Sequence, residues 1–310
     1  MNATLRRPTE PIVGIGLFTG QDTACTIYPA DPGSGIAFRF GSSGPIVPAT
    51  IAHLATAPVY SAVAKIEPRN SNLAIPSDDE RWPAVLTVEH VLSAIVGLGV
   101  TDALVELSSE PPCEVPIGNG SADVFAQAIL DVGVVMEGVL DGDVDDSGVL
   151  QIAEPIIIER DGSRLEAHPL ADDEEPTITY RLDYGPRAPI KPSEVTWRVD
   201  DRDGYARNIA PARTFSMRAE AEQMQALGLF QRFTPTDLPV VDDDGSLIDN
   251  DWRFDDEPAR HKLLDLIGDL SLTGVPVNSA YFRCRIVAER TGHARTHDLV
   301  RALVQHLPSE

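Results

Sequence analysis

The segment 253–270, RFDDEPARHKLLDLIGDL, constrains the fold more than any other part of the chain. Its apolar residues recur at helical spacing, and His261, Asp265 and Asp269 stand four residues apart on one helix face. A carboxylate on an apolar face is costly unless it is paired or binds a metal ion. An imidazole and a carboxylate one turn apart can bind a cation such as zinc, although this spacing is common by chance. The segment therefore predicts a helix at about 257–273 with a candidate metal site.

A second fragment of this kind, Thr87-Val88-Glu89-His90, begins another predicted helix at about 87–98. Either histidine alone is more often an ordinary core or surface residue. The neighbouring carboxylates, Glu89 and Asp265, favour a functional interpretation. Three protein ligands with a nearby Glu are typical of an open zinc site that activates water.

The two halves of the chain echo each other. His90 and His261 are 171 residues apart, and so are Gly97 and Gly268. The identity between the halves is weak, so coincidence is the alternative. Strands followed by helices, twice over, predict an α+β fold of two domains of similar topology. We place these domains at 1–140 and 149–310, on either side of an acidic linker at 141–148.

The remaining elements follow from hydrophobic patterns and turn residues. The segment 65–83 is polar, contains prolines and predicts an exposed loop. The segment 213–241 is mixed in character. The predicted helices cover about 122–132 and 293–306, and the predicted strands cover about 102–108, 150–159, 163–168, 177–184, 194–199 and 278–286.

Composition narrows the class of protein. The chain has 25 Lys and Arg against 48 Asp and Glu, a net charge of −23, which disfavours nucleic acid and anionic membranes as partners. The three cysteines lack zinc or redox spacing and predict reduced thiols in the cytoplasm. The N-terminus has no apolar signal core, and no apolar run reaches the roughly 18 residues of a transmembrane helix. We expect a cytoplasmic monomer.

Seven short sequence motifs are spread over nearly the whole chain. They are GIGLFTG (14–20), LTVEHVLSAIVGLGV (86–100), VPIGNGSA (115–122), ARTF (212–215), VVDD (240–243), RFDDEPARHKLLDLIGDL (253–270) and GHA (292–294). In this order they resemble the UDP-3-O-acyl-N-acetylglucosamine deacetylases, zinc amidases of lipid A biosynthesis. The long helix motif beside a separate TVEH motif makes the resemblance specific. The resemblance implies two similar two-layer α/β-sandwich domains, with the helix layers facing each other and the site in the cleft between them.

The resemblance implies a role for each matching residue. Three of them would hold the zinc: His90, His261 and Asp265. Glu89 would be the general base toward the attacking water, and His293, oriented by Asp269, the general acid toward the leaving amine. Thr214 would hydrogen-bond the developing oxyanion, and Lys262 would face the anionic nucleotide of the substrate. Amide hydrolysis independently requires an activated water, an oxyanion donor and an acid. Imidazole and carboxylate ligands also accept iron(II).

Several of these residues also have ordinary structural interpretations. Thr214 can be a turn residue, His293 a first-turn helix residue, and Lys262 a solvated surface charge. His297, one turn after His293, is a spare candidate for the acid or for a supporting role.

In the family, an insert forms a hydrophobic passage for the substrate's acyl chain, and it corresponds here to about 215–241. Three aromatic residues are the candidate substrate contacts: Phe215, Phe230 and Phe233. The chain departs from the family pattern at Arg232-Phe233, where a Gly-Gly pair is usual, at Phe18, where a His is usual, and at Asn119, where an Asp is usual. These departures leave the acyl length open.

Three functions are consistent with these residues. The first is a zinc hydrolase that removes the N-acetyl group from UDP-3-O-acyl-N-acetylglucosamine. The second is a zinc deacylase for a different N-acylated nucleotide sugar, which the Arg232-Phe233 departure motivates. The third is a homologue that binds ligand without catalysis, which the intact set of polar residues disfavours.

Overall fold

The computed structural model describes residues 2–55, 69–75, 84–108, 112–137, 148–171 and 173–307. Helices and several sheets give the α+β fold that the sequence predicts. The α-helices within these ranges are α1 (Glu89–Gly97), α2 (Asp123–Val132), α3 (Arg202–Asn208), α4 (Arg218–Ala226), α5 (Glu257–Leu270) and α6 (His293–Val304).

The strands are short and follow one another closely in both halves. In chain order they are β1 (Asn2–Leu5), β2 (Ile12–Ile15), β3 (Asp22–Pro29), β4 (Ile36–Phe40), β5 (Ile46–Pro48), β6 (Leu73–Ala74), β7 (Ala84–Leu86), β8 (Ala103–Leu107), β9 (Cys113–Glu114), β10 (Val134–Glu137), β11 (Leu150–Gln151), β12 (Ile156–Arg160), β13 (Ser163–Pro169), β14 (Thr177–Leu182), β15 (Ser193–Arg198), β16 (Ser216–Met217), β17 (Val240–Val241) and β18 (Phe282–Glu289).

The two larger sheets share one strand order. The first is β2-β3-β8-β4-β5 and the second is β12-β13-β18-β14-β15, with the short β11 also pairing with β18. In each sheet the strand that is last along the chain lies at the centre, antiparallel to one neighbour and parallel to the other. The internal repeat that the spacing of the two histidines predicts is therefore visible in the topology.

Helices cover the buried face of the second sheet. Side chains of β18 alternate between buried and more exposed positions, because successive strand residues point to opposite faces. Helix α5 packs against β14 and β15, and α6 packs against β12 and β13. One cluster of buried apolar side chains extends through both halves of the chain.

Helix α1 is buried on all sides and crosses α5 at close range. All nine of its residues are buried, as expected for a helix that is apolar around its circumference. At Gly268 of α5, a Cβ atom would lie 2.1 Å from the backbone oxygen of Glu89. Glycine therefore permits the two backbones to meet, and this contact brings the polar face of α5 against the first turn of α1.

The structure corrects two of the predicted elements. Within the predicted exposed loop 65–83, residues 69–75 are described, and there the prediction is wrong, because Asn70, Ser71, Leu73 and Ala74 are buried. Leu73 and Ala74 form β6 and pair with β7. The rest of that segment, and nearly all of the predicted linker 141–148, lie outside the described residues.

The last strand begins later than predicted, at Phe282 rather than at about 278. The reason is a turn at Asn278, whose side-chain oxygen accepts hydrogen bonds from the backbone N–H groups of Ala280 and Tyr281. The sequence analysis also misses α3, which begins after Asp201, whose carboxylate accepts a hydrogen bond from the N–H of Gly204. Among the described residues, no helix is both long enough and apolar enough to span a membrane.

Candidate metal centre and active site

Three buried side chains converge where α1 meets α5. His90 lies in the first turn of α1, and His261 and Asp265 lie one turn apart on α5. One potential ligand atom from each lies within 4.8 Å of the other two. The Nε2 atom of His90 is 3.5 Å from Oδ1 of Asp265, and Nε2 of His261 is 3.3 Å from the same oxygen. The fold thus brings together the two sequence fragments predicted to share an ion.

His261 is oriented for metal binding. Its Nδ1 atom lies 3.1 Å from the backbone carbonyl oxygen of Ala212. A carbonyl can only accept a hydrogen bond, so Nδ1 carries the proton and Nε2 directs its lone pair toward Asp265. Burial lowers the pKa of His261 to about 3, which keeps the imidazole neutral, as a metal ligand must be.

The two carboxylate oxygens of Asp265 have different surroundings. Oδ2 accepts a hydrogen bond from Nζ of Lys262 at 3.0 Å. Burial alone would raise the pKa of Asp265, but His261 and Lys262 hold that pKa well below its usual range. Oδ1 is buried and has no hydrogen-bond partner in the described part of the chain. A buried anionic oxygen without a donor is costly, and this one lies beside two imidazole nitrogens.

This arrangement fits a divalent metal ion. Ligand atoms about 2.0–2.1 Å from a tetrahedral zinc ion lie about 3.3–3.4 Å from one another. The two imidazole-to-carboxylate distances, 3.3 Å and 3.5 Å, are close to this value. Nδ1 of His90 is also buried, with no hydrogen-bond partner among residues 2–307 where these are described. The bare carboxylate oxygen between two imidazoles is the feature that a cation would satisfy.

Glu89 is a second buried carboxylate beside these three side chains. Its Oε2 atom accepts a hydrogen bond from the backbone N–H of Ser71 at 3.0 Å. Its Oε1 atom lies 3.9 Å from Nε2 of His293. Burial raises the pKa of Glu89 to about 7. A carboxyl group in this range can accept and release a proton near neutral pH.

Thr87, two residues before Glu89, has a strained backbone conformation. Thr87 has a φ of +58°, a region that β-branched residues rarely adopt. Its hydroxyl donates to Oε1 of Glu114 at 2.7 Å and accepts from Nδ2 of Asn70 at 2.9 Å. Its backbone N–H donates to Oδ1 of Asn72 at 3.1 Å. These three hydrogen bonds stabilise the conformation that presents Glu89 to the site.

His293 begins α6 and pairs with Asp269 of α5. Its Nδ1 atom lies 2.8 Å from Oδ2 of Asp269, and its Nε2 atom is 3.8 Å from Oδ2 of Asp265. Burial lowers the pKa of His293, but the adjacent carboxylate of Asp269 outweighs it and raises that pKa to about 9. The imidazole is therefore protonated at neutral pH, with Nε2 directed toward Glu89 and Asp265.

A cavity of about 700 Å³ opens beside this cluster. His293 lines it, and so do the other side chains that the sequence analysis assigns to substrate: Thr214, Phe215, Phe230, Phe233 and Lys262. Nζ of Lys262 lies 6.0 Å from the ring centre of Phe215, in the range of a cation–π contact. The cavity also has cationic side chains in its wall: Arg69, Arg218, Arg290 and Arg295. Three of these arginines pair with carboxylates, Arg69 with Glu220, Arg218 with Asp242 and Arg295 with Asp161, so the wall combines apolar surface with charges of both signs.

The insert 215–241 packs onto the N-terminal turn. Phe18 and Phe230 meet edge to face, with ring centres 5.3 Å apart, inside a small separate apolar cluster. Arg232 donates hydrogen bonds to the carbonyl oxygen of Gly20 at 3.1 Å and to Oδ1 of Asp22 at 2.7 Å. Two of the three departures from the family pattern, Phe18 and Arg232-Phe233, thus lie at one contact. The third, Asn119, accepts hydrogen bonds from Ser121 in a local turn.

The sequence analysis misses several buried polar residues that support the site. Ser71 contacts Glu89, and Glu114 contacts Thr87. Glu257 accepts hydrogen bonds from the backbone N–H and from the guanidinium group of Arg213, the residue that precedes Thr214. Ser71 and Glu114 lie in short non-helical segments, where no periodicity marks a residue as buried. For Glu257, the local signal is the proline that follows it at the start of the predicted helix.

Comparisons with known proteins are consistent with this geometry. A model of the family described as UDP-3-O-acyl N-acetylglycosamine deacetylase (LpxC) matches residues 2–305. A UDP-3-O-acyl-N-acetylglucosamine deacetylase of Chlamydia caviae is 31% identical over 305 residues, 98% of this chain and 97% of the relative. One from Trichormus variabilis is 33% identical over 285 residues, 90% of each chain. A probable mitochondrial deacetylase of this name from Arabidopsis thaliana is 30% identical and covers 94% of this chain and 85% of its own. The chain belongs to the UDP-3-O-acyl N-acetylglycosamine deacetylase family.

Proposed function

We propose that this protein hydrolyses the N-acetyl group of UDP-3-O-acyl-N-acetylglucosamine, an early step of lipid A biosynthesis. The observation that carries the proposal is the convergence of five side chains from both halves. The His90, His261 and Asp265 ligand atoms lie within 4.8 Å of one another, and Glu89 and His293 stand beside them with their nearest atoms 3.9 Å apart. The names of the relatives supply the substrate.

The residues His90, His261 and Asp265 would hold one metal ion, zinc or iron(II). When bound, such an ion supplies a Lewis acid that polarises the amide carbonyl and lowers the pKa of water toward about 7. Lys262 donates a hydrogen bond to Oδ2 of Asp265, so Oδ1 would be the oxygen that holds the ion. The ammonium group also remains on the cavity wall, where it can face the anionic nucleotide.

The protein's own groups move the two protons of the reaction. Glu89 takes a proton from the water that attacks the acetyl carbonyl. His293, held by Asp269, gives the proton of its Nε2 to the sugar nitrogen as the C–N bond breaks. The products are acetate and the free 2-amino group. Thr214, on the cavity wall, would donate a hydrogen bond to the oxyanion that forms during the attack.

The division of the chain into two domains is part of the same proposal. We infer two α/β-sandwich domains, at about 1–140 and 149–310, because the two larger sheets have the same strand order. The contact between α1 and α5 supports helix layers that face each other across the site. We expect the protein to act as a monomer in the cytoplasm.

A second candidate substrate is an N-acylated nucleotide sugar with a short acyl chain or none. The contact between the insert and the N-terminal turn favours this candidate. Arg232 stands where the family usually has a glycine, and it donates hydrogen bonds to Gly20 and Asp22. Phe230 adopts a φ of +57° to make its contact with Phe18. Phe230 lines the cavity, where it would limit the room for the acyl chain of the first candidate.

The test is an acetate-release assay on the zinc-loaded and the metal-free protein. The substrates are UDP-N-acetylglucosamine and its 3-O-acyl derivatives with a series of chain lengths. We expect metal-dependent release, with a higher kcat/KM for acylated substrates. Preference for the unacylated sugar would favour the second candidate, and no release from any substrate by the loaded protein would overturn the proposal.

A further inference from the structure

Ser71 uses every polar group that it has at the site. It is fully buried. Its backbone N–H donates to Oε2 of Glu89 at 3.0 Å, and its carbonyl accepts from the N–H of Val88 at 3.0 Å. Its hydroxyl lies 2.5 Å from Oδ1 of Asp269 and 2.8 Å from Nε2 of His297. This serine comes from a segment outside both helix motifs.

Hydrogen-bond chemistry fixes the direction of these contacts. Burial raises the pKa of Asp269, but His293 and then His297 lower it below its usual range. The carboxylate is therefore ionised, and its oxygens can only accept hydrogen bonds. Ser71 has a single hydroxyl proton and must donate it to Asp269. The oxygen of Ser71 therefore accepts from His297, which requires the Nε2–H tautomer of that ring. On the other side, Nδ1–H of His293 donates to Oδ2 of Asp269.

The result is a continuous chain from His297 through Ser71 and Asp269 to His293. Because Ser71 occupies Oδ1 of Asp269, the carboxylate presents Oδ2 to His293 and cannot rotate without breaking a buried hydrogen bond. Because its backbone N–H occupies Oε2 of Glu89, that carboxylate presents Oε1 toward Nε2 of His293. One residue therefore sets the orientation of both groups that move protons.

We propose that Ser71 is a positioning residue that orients the base Glu89 and the acid pair Asp269–His293 together, with His297 completing the chain. The inference rests on the proposed roles of Glu89 and His293. It assigns to Ser71 no contact with the substrate or with the metal ion.

The first test compares Ser71→Ala with Ser93→Ala. Ser93 is a fully buried serine of α1, and its hydroxyl accepts from the hydroxyl of Tyr205 at 2.8 Å, so it matches Ser71 in burial without facing the acid or the base. We expect Ser71→Ala to lower kcat about 10- to 100-fold, as loss of an outer supporting contact does, with KM and zinc content close to those of the wild type. Ser93→Ala should keep the wild-type kcat. Equal kcat values for the two variants would overturn the inference, while wild-type acetate release would leave the proposed function standing.

The second test needs neither substrate nor variant. In zinc-loaded wild-type protein labelled with ¹⁵N-histidine, long-range ¹H–¹⁵N correlation spectra distinguish the ring tautomers. We expect a protonated Nε2 in His297 and a protonated Nδ1 in His293, both protected from exchange with solvent. A His297 ring protonated only at Nδ1 cannot donate to Ser71 and would overturn the inference. This result does not depend on catalysis, so it separates a failure of the inference from a failure of the proposed function.

Discussion

The two halves of the chain contribute to the site by different means. The second half supplies His261, Asp265 and Asp269 from a single regular helix, so their spacing is fixed by the local backbone. The first half supplies Glu89 and His90 from the turn that follows a strained threonine, held by side chains from two other segments. Two halves with the same strand order thus position the proposed catalytic groups with unequal local support, and the first half depends more on distant contacts.

The largest effect should come from removing a ligand from either half. We expect His90→Ala and His261→Ala to lose the bound metal during dialysis and to reduce acetate release to the background rate, because one ion needs both halves. Metal analysis and the acetate assay measure this. His168→Ala is the matched control, since that histidine pairs with Glu166 on β13, and it should retain both metal and activity. A full metal content in either ligand variant would contradict the claim that one ion needs ligands from both halves.

The next largest effect should come from replacing Glu89, the proposed base, which the first half supplies. Glu89→Gln keeps the shape and an oxygen for the N–H of Ser71 but cannot take a proton. We expect kcat to fall by about 10²- to 10⁴-fold while about one metal ion per chain remains bound. Steady-state kinetics with metal analysis of the same sample checks this. Near-normal turnover would show that Glu89 is not the base.

A smaller effect should come from the glycine at the contact between the halves. In Gly268→Ala the new Cβ would meet the backbone of Glu89 at 2.1 Å, which should cost about 1–3 kcal/mol of unfolding free energy and weaken metal binding. Gly97→Ala is the control at the equivalent place in the repeat, where the Cβ would meet the ring of Tyr205 at 2.4 Å. It should lose stability and keep its metal affinity. Denaturant unfolding and a zinc competition titration distinguish them, and equal metal affinities would contradict the account.

The smallest effect tests whether the halves open separately. Burial raises the pKa of Cys25, in the first sheet, to about 12, and raises that of Cys284, in the second sheet, to about 12. The folded state favours the protonated thiols, so their contribution to stability is present below pH 9 and is lost as the pH rises toward 12. At pH 8 we expect both cysteines to react with a thiol reagent equally slowly. Much faster reaction of one of them would show independent opening of its half.

The sequence predicts the parts of the site that depend on local order. The spacing of His261, Asp265 and Asp269 lies within one helix, and the contact of His90 with that helix follows from the family resemblance. Ser71 could not be found in this way, because its role arises from contacts with α1, α5 and α6 that a polar, proline-bearing segment does not reveal. The late start of β18 has a similar cause, since it depends on a side-chain turn at Asn278.

The central claim is that one ion is bound by ligands from both halves, and X-ray absorption at the zinc edge tests it most directly. For the wild-type protein loaded with one zinc ion, we expect a first shell of nitrogen and oxygen atoms at about 2.0–2.1 Å, including two imidazoles and no sulfur. In the His90→Ala protein, reloaded with zinc, the imidazole contribution should fall to one. A wild-type shell with sulfur, or with a single imidazole that persists unchanged in the variant, would contradict the account.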